Sequence, residues 1–277
     1  MHQAELLAEF IQNHPRLTVL TGAGISTDSG IPAYRNEAGV WQHKPPVQHK
    51  VFMQDPYARQ RYWARSLIGW PRISNAQPSA AHHALTALQT RGHIQQIVTQ
   101  NVDRLHQKAG SETVIDLHGR ADRVKCMSCG ADYSRDDIHQ RSGEENPDFF
   151  GFEASARPDG DADLESIDFH QFRVPDCEQC GGILKPDVVF FGDNVPKEKV
   201  FSSLEIMQES GALLTIGTSL MVYSGYRYCL RARDWNLPIV SLTRGVTRAD
   251  HLLTLKLDAG ITETLEHTLS YLGAGQT

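Results

Sequence analysis

Two C-x-x-C pairs, Cys126/Cys129 and Cys177/Cys180, constrain the fold of this chain more than any other feature of its 277 residues. Each pair presents two thiolates from one tight turn, and two such turns supply the four soft ligands of a tetrahedral Zn²⁺ site. Two disulfides or four unrelated buried thiols are the alternative. A site made of four thiolates is closed to substrate, so we predict a structural zinc and seek the chemistry elsewhere.

The composition is that of an ordinary globular protein and argues against several classes of function. Charged residues make up 22% of the chain and hydrophobic residues 40%. A net charge of -6 does not predict the basic surface that binding to nucleic acid or to an anionic membrane requires, so we expect neither as a partner. Residues 1–13 have the pattern of an amphipathic helix, not of a signal or transit peptide. We therefore expect a cytoplasmic protein, or a mitochondrial one if a presequence has been removed. We also expect a monomer.

Short apolar runs alternate with helical patterns along the chain. Runs rich in β-branched residues predict buried strands at 17–21, 96–99, 114–117, 188–191, 213–216 and 239–242. Helices are predicted at 80–90, 102–109, 197–210 and 223–235. This alternation predicts an α/β fold, a Rossmann-like parallel sheet with helices on both faces. A small zinc-binding and helical domain completes the expected architecture.

Two segments interrupt the alternation and suggest a division into domains. Residues 34–75 are rich in aromatic and basic side chains and predict a helical module with a cofactor loop. Residues 121–186 contain the zinc-binding module, with a long inserted loop at about 143–168 that has no periodicity. Residues 1–33, 76–120 and 187–277 are assigned to the Rossmann-like domain.

The first predicted strand runs directly into a glycine-containing turn, residues 22–26 (GAGIS). Glycines at this position let a phosphate approach backbone N–H groups. The turn alone is a weak signal, because Thr27 stands where the dinucleotide fingerprint has its third glycine. Polar segments also follow later strands, at 99–103 (TQNVD), 118–119 (HG) and 217–219 (GTS). Since the carboxyl ends of parallel strands face one crevice, we expect an active site there.

Taken in order, these segments closely resemble the sirtuins, the NAD-dependent protein lysine deacylases. The matching segments are 22–26, 30–35 (GIPAYR), 99–103, 118–119, the two C-x-x-C pairs, 186–193 (PDVVFFGD) and 217–219. Segments 61–65 (RYWAR), 69–71 (GWP), 158–161 (PDGD), 222–227 (VYSGYR) and 247–248 (TR) resemble the class II branch of the family. The resemblance implies NAD and one structural zinc per chain as cofactors, and acylated-lysine proteins or peptides as partners.

The resemblance also assigns roles to residues at the crevice. His118 would be the general base, because an imidazole titrates near neutral pH and can take a ribose hydroxyl proton; a buried core histidine is the alternative. Asn101 and Asp103 complete the implied catalytic set, and the alternative for Asn101 is a cap of the helix at 102–109. The implied NAD-binding residues are Gly22, Ala23, Gly24, Ser26, Tyr34, Arg35, Gln100, Asn101, Val102, Asp103, Gly217, Thr218, Ser219, Thr243, Arg244, Gly245 and Ile261.

The substrate polypeptide is expected to add as a strand between residues 191–193 and the segment after 219. The implied substrate-binding residues there are Val189, Phe191, Gly192 and Asp193, and ordinary strand core is the alternative for the first two. Tyr62 and Arg65 resemble the pair that selects acidic acyl groups in the succinyl-lysine branch. A phenol and a guanidinium can bind a carboxylate in an otherwise apolar tunnel. The alternative is that Tyr62 is a packing residue and Arg65 a surface residue of a helix.

Sirtuin chemistry implies attack of the acyl oxygen on the nicotinamide ribose, with nicotinamide, free lysine and O-acyl-ADP-ribose as products. Two residues depart from the family pattern, since Ala33 stands where most sirtuins carry an aspartate and Thr243 where asparagine is usual. The lost carboxylate predicts slower catalysis, and the shorter threonine side chain predicts weaker NAD binding. A protein ADP-ribosyltransferase, a lipoamidase, and an NAD-responsive binding module with weak catalysis because of Ala33 are the alternative functions.

Overall fold

A computed structural model describes residues 1–42, 46–149 and 168–274. The strands in these ranges are β1 (Leu17–Thr21), β2 (Ile94–Thr99), β3 (Val114–Asp116), β4 (Gly119–Cys126), β5 (Asp132–Ser134), β6 (Leu184–Val188), β7 (Leu213–Ile216), β8 (Ile239–Leu242) and β9 (Leu255–Leu257). The α-helices are α1 (His2–Asn13), α2 (His49–Gln54), α3 (Pro56–Asn75), α4 (Ala80–Thr90), α5 (Leu105–Lys108), α6 (Arg135–Glu145), α7 (Lys197–Gln208), α8 (Tyr223–Asp234) and α9 (Ile261–Ala274).

The larger sheet is parallel throughout, with the strand order β3-β2-β1-β7-β8-β9. Its central strands are apolar because both faces are covered, and every residue of β1, β7 and β8 is buried. Helices α1, α4 and α9 pack on one face around Leu7, Leu85 and Leu265. Helices α7 and α8 cover the other face around Met207 and Tyr228. The predicted parallel α/β fold is therefore confirmed.

The smaller sheet is antiparallel and has the order β5-β4-β6. It shares one hydrophobic core with the helices of the aromatic-rich segment and with α6. Phe52 of α2, Trp63 of α3, Val124 of β4 and Ile138 of α6 all belong to this core. The zinc-binding module and the helical segment 34–75 therefore pack against one another.

The predicted strand at 188–191 is wrong. Strand β6 ends at Val188 and belongs to the smaller sheet, where it lies at an edge and tolerates Pro186, a residue without an N–H donor. Beyond Val188 the backbone leaves the ladder, and the Val189 N–H donates to the carbonyl of His118 at 2.8 Å. The apolar run is explained by the cleft and tunnel that it lines, not by burial within a sheet.

The predicted helix at 102–109 is shorter than expected, because it begins only at Leu105. Arg104 has a positive φ of 66°, which interrupts helical geometry at this position. Strand β9 was not predicted, since three residues are too few for a periodic signal. The predicted loop at 143–168 begins later, because α6 extends to Glu145 and residues 147–149 form a 3₁₀ turn. Its centre, 150–167, lies outside the described residues.

Among the described residues, no helix combines the length and the apolar character needed to cross a bilayer.

Candidate active site

A cleft of about 700 Å³ opens at the carboxyl ends of the central strands. Strand β1 pairs with β2 on one side and with β7 on the other, so successive connections diverge at β1. Ligands of open α/β folds bind at such a switch point. The segments that follow β1, β2 and β7 all line the cleft, as the sequence predicted.

The glycine turn lies against the segment after β7 at very short range. A Cβ on Gly22 would lie 2.7 Å from Cβ of Thr218, and one on Gly24 would lie 2.8 Å from Cα of Gly217. Gly217 itself has a positive φ of 62°, a conformation that glycine adopts without strain. Side chains at these positions would collide with Gly217 and Thr218, so glycine lets the two backbone segments pack directly on one another where they line the cleft. This fits the pyrophosphate of a dinucleotide, which needs close approach to backbone N–H groups.

Asp103 and Asn101 are fixed by hydrogen bonds to the glycine turn. The Ser26 hydroxyl donates to Oδ2 of Asp103 at 2.7 Å, and the Leu105 N–H donates to Oδ1 at 3.0 Å. Asn101 Nδ2 donates to the carbonyl of Gly22 at 3.1 Å and to Ser26 Oγ at 3.0 Å. Burial raises the pKa of Asp103, and the two donated hydrogen bonds oppose this rise. Asn101 therefore does not cap a helix, and the capping alternative is wrong.

His118 has both ring nitrogens in hydrogen bonds at the floor of the cleft. Nδ1 lies 3.1 Å from the carbonyl oxygen of Gln100, and Nε2 lies 2.7 Å from Oγ of Ser224. Burial lowers the pKa of His118 to about 4; the bond to Gln100 opposes this shift, and the charges of Lys199 and Arg227 add to it. The imidazole is therefore neutral near pH 7, which a general base requires.

The structure gathers nearly all of the predicted NAD-binding residues in this cleft. Those that line it are Gly22, Ala23, Gly24, Ser26, Tyr34, Arg35, Gln100, Asn101, Val102, Asp103, Gly217, Thr218, Ser219, Thr243, Arg244 and Ile261. Gly245 does not line the cleft, because it packs against the backbone of Glu37. Ala33 does line it, so the departure from the family pattern lies within the site.

Sequence reasoning missed several cleft residues. The Arg35 guanidinium lies over the ring of Trp41, with Cζ of Arg35 4.0 Å from the ring centroid. The Trp41 ring also contacts the Phe191 ring edge-on, with the two centroids 5.6 Å apart. Ser224 and Arg227 also line the cleft. Both lie in the segment 222–227, which supported the family resemblance but was given no role. The aromatic enrichment of 34–75 was the available signal for Trp41.

The predicted substrate-binding residues lie on the opposite wall. Val189, Phe191, Gly192 and Asp193 line the cleft, and Phe191 makes a parallel bridge to Gln48. A second, smaller cavity of about 30 Å³ shares this wall and is lined by Tyr62. The backbone edge expected for a peptide and the tunnel expected for its side chain are therefore adjacent.

Tyr62 and Arg65 are not equivalent in the structure. Tyr62 is buried, packs against the rings of Phe52 and Phe190, and lines the smaller cavity. Arg65 follows it by one turn of α3, is half-buried and lines neither cavity. Tyr62 is thus both a packing residue and a cavity residue, and Arg65 is not the exposed surface residue of the alternative reading.

The four predicted metal ligands form a compact cluster. The Sγ atoms of Cys126, Cys129, Cys177 and Cys180 all lie within 4.8 Å of one another. The pair Cys126/Cys180 is 3.5 Å apart and Cys129/Cys177 is 3.6 Å apart, too far for disulfide bonds. Zn–S bonds of about 2.3 Å in tetrahedral geometry place thiolates about 3.8 Å apart, so the donor set fits Zn²⁺. The disulfide alternative is therefore wrong.

The turns around the cysteines favour thiolates. Gly130 and Gly181 follow the two pairs with positive φ values of 77° and 65°, as the predicted turns require. The Ser128 and Cys129 N–H groups point to the sulfur of Cys126, and the Tyr133 hydroxyl lies 3.1 Å from the sulfur of Cys177. The hydrogen bond from Tyr133 lowers the pKa of Cys177 to about 6. Such outer contacts orient the ligands of a structural metal.

Comparisons with known proteins agree with the site. The sequence model of the Sir2 family matches residues 22–224. The chain is 51% identical to a protein of Bradyrhizobium diazoefficiens named NAD-dependent protein deacetylase 2, over 96% of each chain. It is 46% identical to the NAD-dependent protein deacylase Sirt4 of Drosophila melanogaster, over 91% of this chain and 82% of that one. A solved structure of Sir2 with a p53 peptide and NAD⁺ superposes with a TM-score of 0.79 at 26% identity, over 99% of this chain and 100% of the other.

The chain belongs to the Sir2 family. The predicted class of enzyme, an NAD-dependent protein deacylase, is confirmed, as are NAD and a structural zinc as its cofactors. The roles of the individual site residues stay predictions, and their location in one cleft supports them.

Proposed function

We propose that this chain removes acyl groups from lysine side chains of extended peptides, and that its tunnel accepts acyl groups ending in a carboxylate. The observation that carries the deacylase reaction is the half-buried, neutral His118 beside Asn101 and Asp103 at the switch point of the sheet. When bound, NAD supplies the ADP-ribose that accepts the acyl group.

The side chains of this cleft have different roles in the proposed reaction. His118 accepts a proton at Nε2, because its Nδ1–H is committed to the Gln100 carbonyl. Asn101 and Asp103 are held rigidly by Ser26 and offer an amide and a carboxylate for orienting the ribose and the carboxamide. The aromatic contact between Trp41 and Phe191 covers the cleft next to the peptide edge and helps to exclude water.

The acyl preference rests on the surroundings of Tyr62. Its cavity shares Val189 and Phe190 with the peptide wall, so an acyl chain that enters along the lysine reaches the phenol. The buried guanidinium of Arg135 contacts the Tyr62 side chain as a hydrogen-bond donor. Arg65 lies three residues further along the same helix, on the same side as Tyr62. Two guanidinium groups near a phenol favour a terminal carboxylate over a methyl group.

A panel of acylated peptides tests both parts of this proposal. The purified protein is incubated with NAD and acetyl-, succinyl-, glutaryl- and 3-hydroxy-3-methylglutaryl-lysine peptides, and nicotinamide and O-acyl-ADP-ribose are measured by mass spectrometry. We expect the matching O-acyl product with every active peptide and the highest kcat/KM with an acidic one. Absence of turnover on all peptides, with NAD still bound, would refute the deacylase assignment.

Arg65→Met tests the acyl preference separately. Hydrogen bonds to charged groups contribute roughly 1.5–3 kcal/mol, so kcat/KM for acidic acyl peptides should fall at least about tenfold while the acetyl peptide changes little. Arg61→Met, an exposed arginine one turn earlier on α3, is the matched control. Equal losses on acetyl and acidic peptides would contradict the proposed preference.

Class II membership is part of this proposal. The Drosophila relative supports it, as do the segments 61–65 and 222–227, which frame the tunnel and the start of α8.

A further inference from the structure

Ser224 makes the closest polar contact to the general base. It is the second residue of α8, it is buried, and its Oγ lies 2.7 Å from Nε2 of His118. The other ring nitrogen, Nδ1, faces the carbonyl oxygen of Gln100, which can only accept a hydrogen bond. The ring therefore carries its proton on Nδ1, and the Ser224 hydroxyl donates to Nε2.

The backbone is built to bring Ser224 this close. Gly225, the next residue, lies so near Gln100 that a Cβ would be 2.6 Å from the side-chain oxygen of that glutamine. A side chain at this position would displace the Gln100 amide group from its place beside α8. Gln100 is held in turn by Thr218, whose hydroxyl accepts from Gln100 Nε2 at 2.9 Å. Gln100, whose carbonyl accepts at Nδ1, is thus held against the residue that follows Ser224.

We propose that Ser224 is a positioning residue that holds Nε2 of His118 in both protonation states of the base. A hydroxyl group donates to Nε2 while the imidazole is neutral. Because Nε2 has a single in-plane lone pair, the Ser224 O–H turns away from it, by rotation about the Cβ–Oγ bond, as the ribose hydroxyl delivers its proton there. The Ser224 oxygen then accepts from Nε2–H. The ring consequently keeps one orientation through the catalytic cycle.

The positive charges around His118 make the Ser224 oxygen important as a hydrogen-bond acceptor for the protonated ring. The groups that face the ring from the packed elements are Lys199 of α7 and Arg227 of α8, and both oppose a positive charge on the imidazole. The start of α8 adds the positive end of a helix dipole. The Ser224 oxygen is therefore the polar atom at Nε2 that stabilises the protonated ring. The inference rests on the proposed role of His118 as base, but not on the acyl preference.

The test combines spectroscopy of the free protein with kinetics. Ser224→Ala, Ser224→Thr and the control Ser270→Ala, an exposed serine of α9 that bonds only to its own helix, are compared with the wild type. Nitrogen-15 NMR of histidine-labelled protein reports the two ring nitrogens of His118, assigned by their absence in His118→Asn. We expect Ser224→Ala to shift the Nε2 resonance, and Ser224→Thr to restore it.

The kinetic readout uses an acetyl-lysine peptide at saturating NAD. We expect kcat to fall five- to tenfold in Ser224→Ala, or about 1–1.4 kcal/mol, with recovery in Ser224→Thr and an unchanged Kd for NAD by calorimetry. An unchanged Nε2 resonance in Ser224→Ala would overturn the proposal. So would a loss of kcat that Ser224→Thr does not recover and that accompanies a lower thermal midpoint, since Ser224 would then only support the fold. If the wild type shows no turnover, the proposed function fails and the nitrogen resonance alone decides the role of Ser224.

Discussion

Acidification from pH 7 to pH 5 is expected to destabilise this fold strongly through two buried histidines, His82 and His106, and the half-buried His118. Burial lowers the pKa of His82 to about 4, that of His106 to about 3 and that of His118 to about 4. The rings of His82 and His106 lie 4.9 Å apart under the sheet, so a charge on one also disfavours a charge on the other.

The sign and the size of the effect follow from proton linkage. In the unfolded chain each histidine titrates near pH 6.5, so between that pH and the lower folded pKa the unfolded state binds more protons. The stabilisation from the three neutral rings is complete above about pH 6.5 and is lost as the pH falls towards 4. Between pH 7 and pH 5 each histidine should cost about 2 kcal/mol, and the three together about 6 kcal/mol of unfolding free energy.

Urea unfolding at both pH values measures this loss. His106→Gln places an amide near Thr21, whose Oγ1 lies 2.9 Å from Nε2 of His106, but the amide cannot ionise. The variant should lose about 2 kcal/mol less than the wild type between pH 7 and pH 5. His2→Gln, an exposed position in α1, is the control and should match the wild type. Protonation of the metal-binding thiolates cancels in each comparison. An equal pH-dependent loss in His106→Gln and wild type would refute the reasoning.

Three further predictions concern the site and the metal. His118→Tyr should abolish turnover on acyl peptides while the thermal midpoint and one bound zinc per chain are retained; wild-type turnover would remove His118 from its role. Ala33→Asp should raise kcat/KM for NAD about tenfold, because it restores a charged hydrogen-bonding group in the cleft, and identical kinetics would contradict this. Chelation of the metal should change the tryptophan fluorescence, because Cys126 and Trp63 share one core, and an unchanged spectrum with metal-free protein would contradict it.

The sequence contained enough information for the sheet and for the position of the active site. The runs at 17–21, 213–216 and 239–242 contain nine apolar residues among thirteen and no charged residue, as expected for strands covered on both faces. Once these strands are parallel, their carboxyl ends must share one edge, so the segments after Thr21, Thr99 and Ile216 meet regardless of their distance in the chain.

Features that depend on particular tertiary contacts could not be predicted in this way. The run 188–191 is as apolar as a buried strand, and only the cleft that it lines distinguishes the two cases. The contact between His118 and Ser224 joins residues from the β3–β4 connection and α8, next to the close approach of Gly225 to the Gln100 side chain. No local pattern in the sequence predicts this contact between residues that are far apart in the chain.

The zinc cluster has consequences for the tunnel that its sequence motif alone does not reveal. Cys126 and Cys177 belong to the same core as Tyr62 and Phe190, the residues that line the smaller cavity. Arg135 links the two parts, because it begins α6 immediately after β5 and stacks on the ring of Trp63 at 4.8 Å. Loss of the metal would loosen the packing that fixes Tyr62, even though no thiolate approaches the cleft. We therefore expect the metal to influence the proposed acyl selection through packing, so that partial zinc loss alters the preference among acyl peptides before it abolishes turnover.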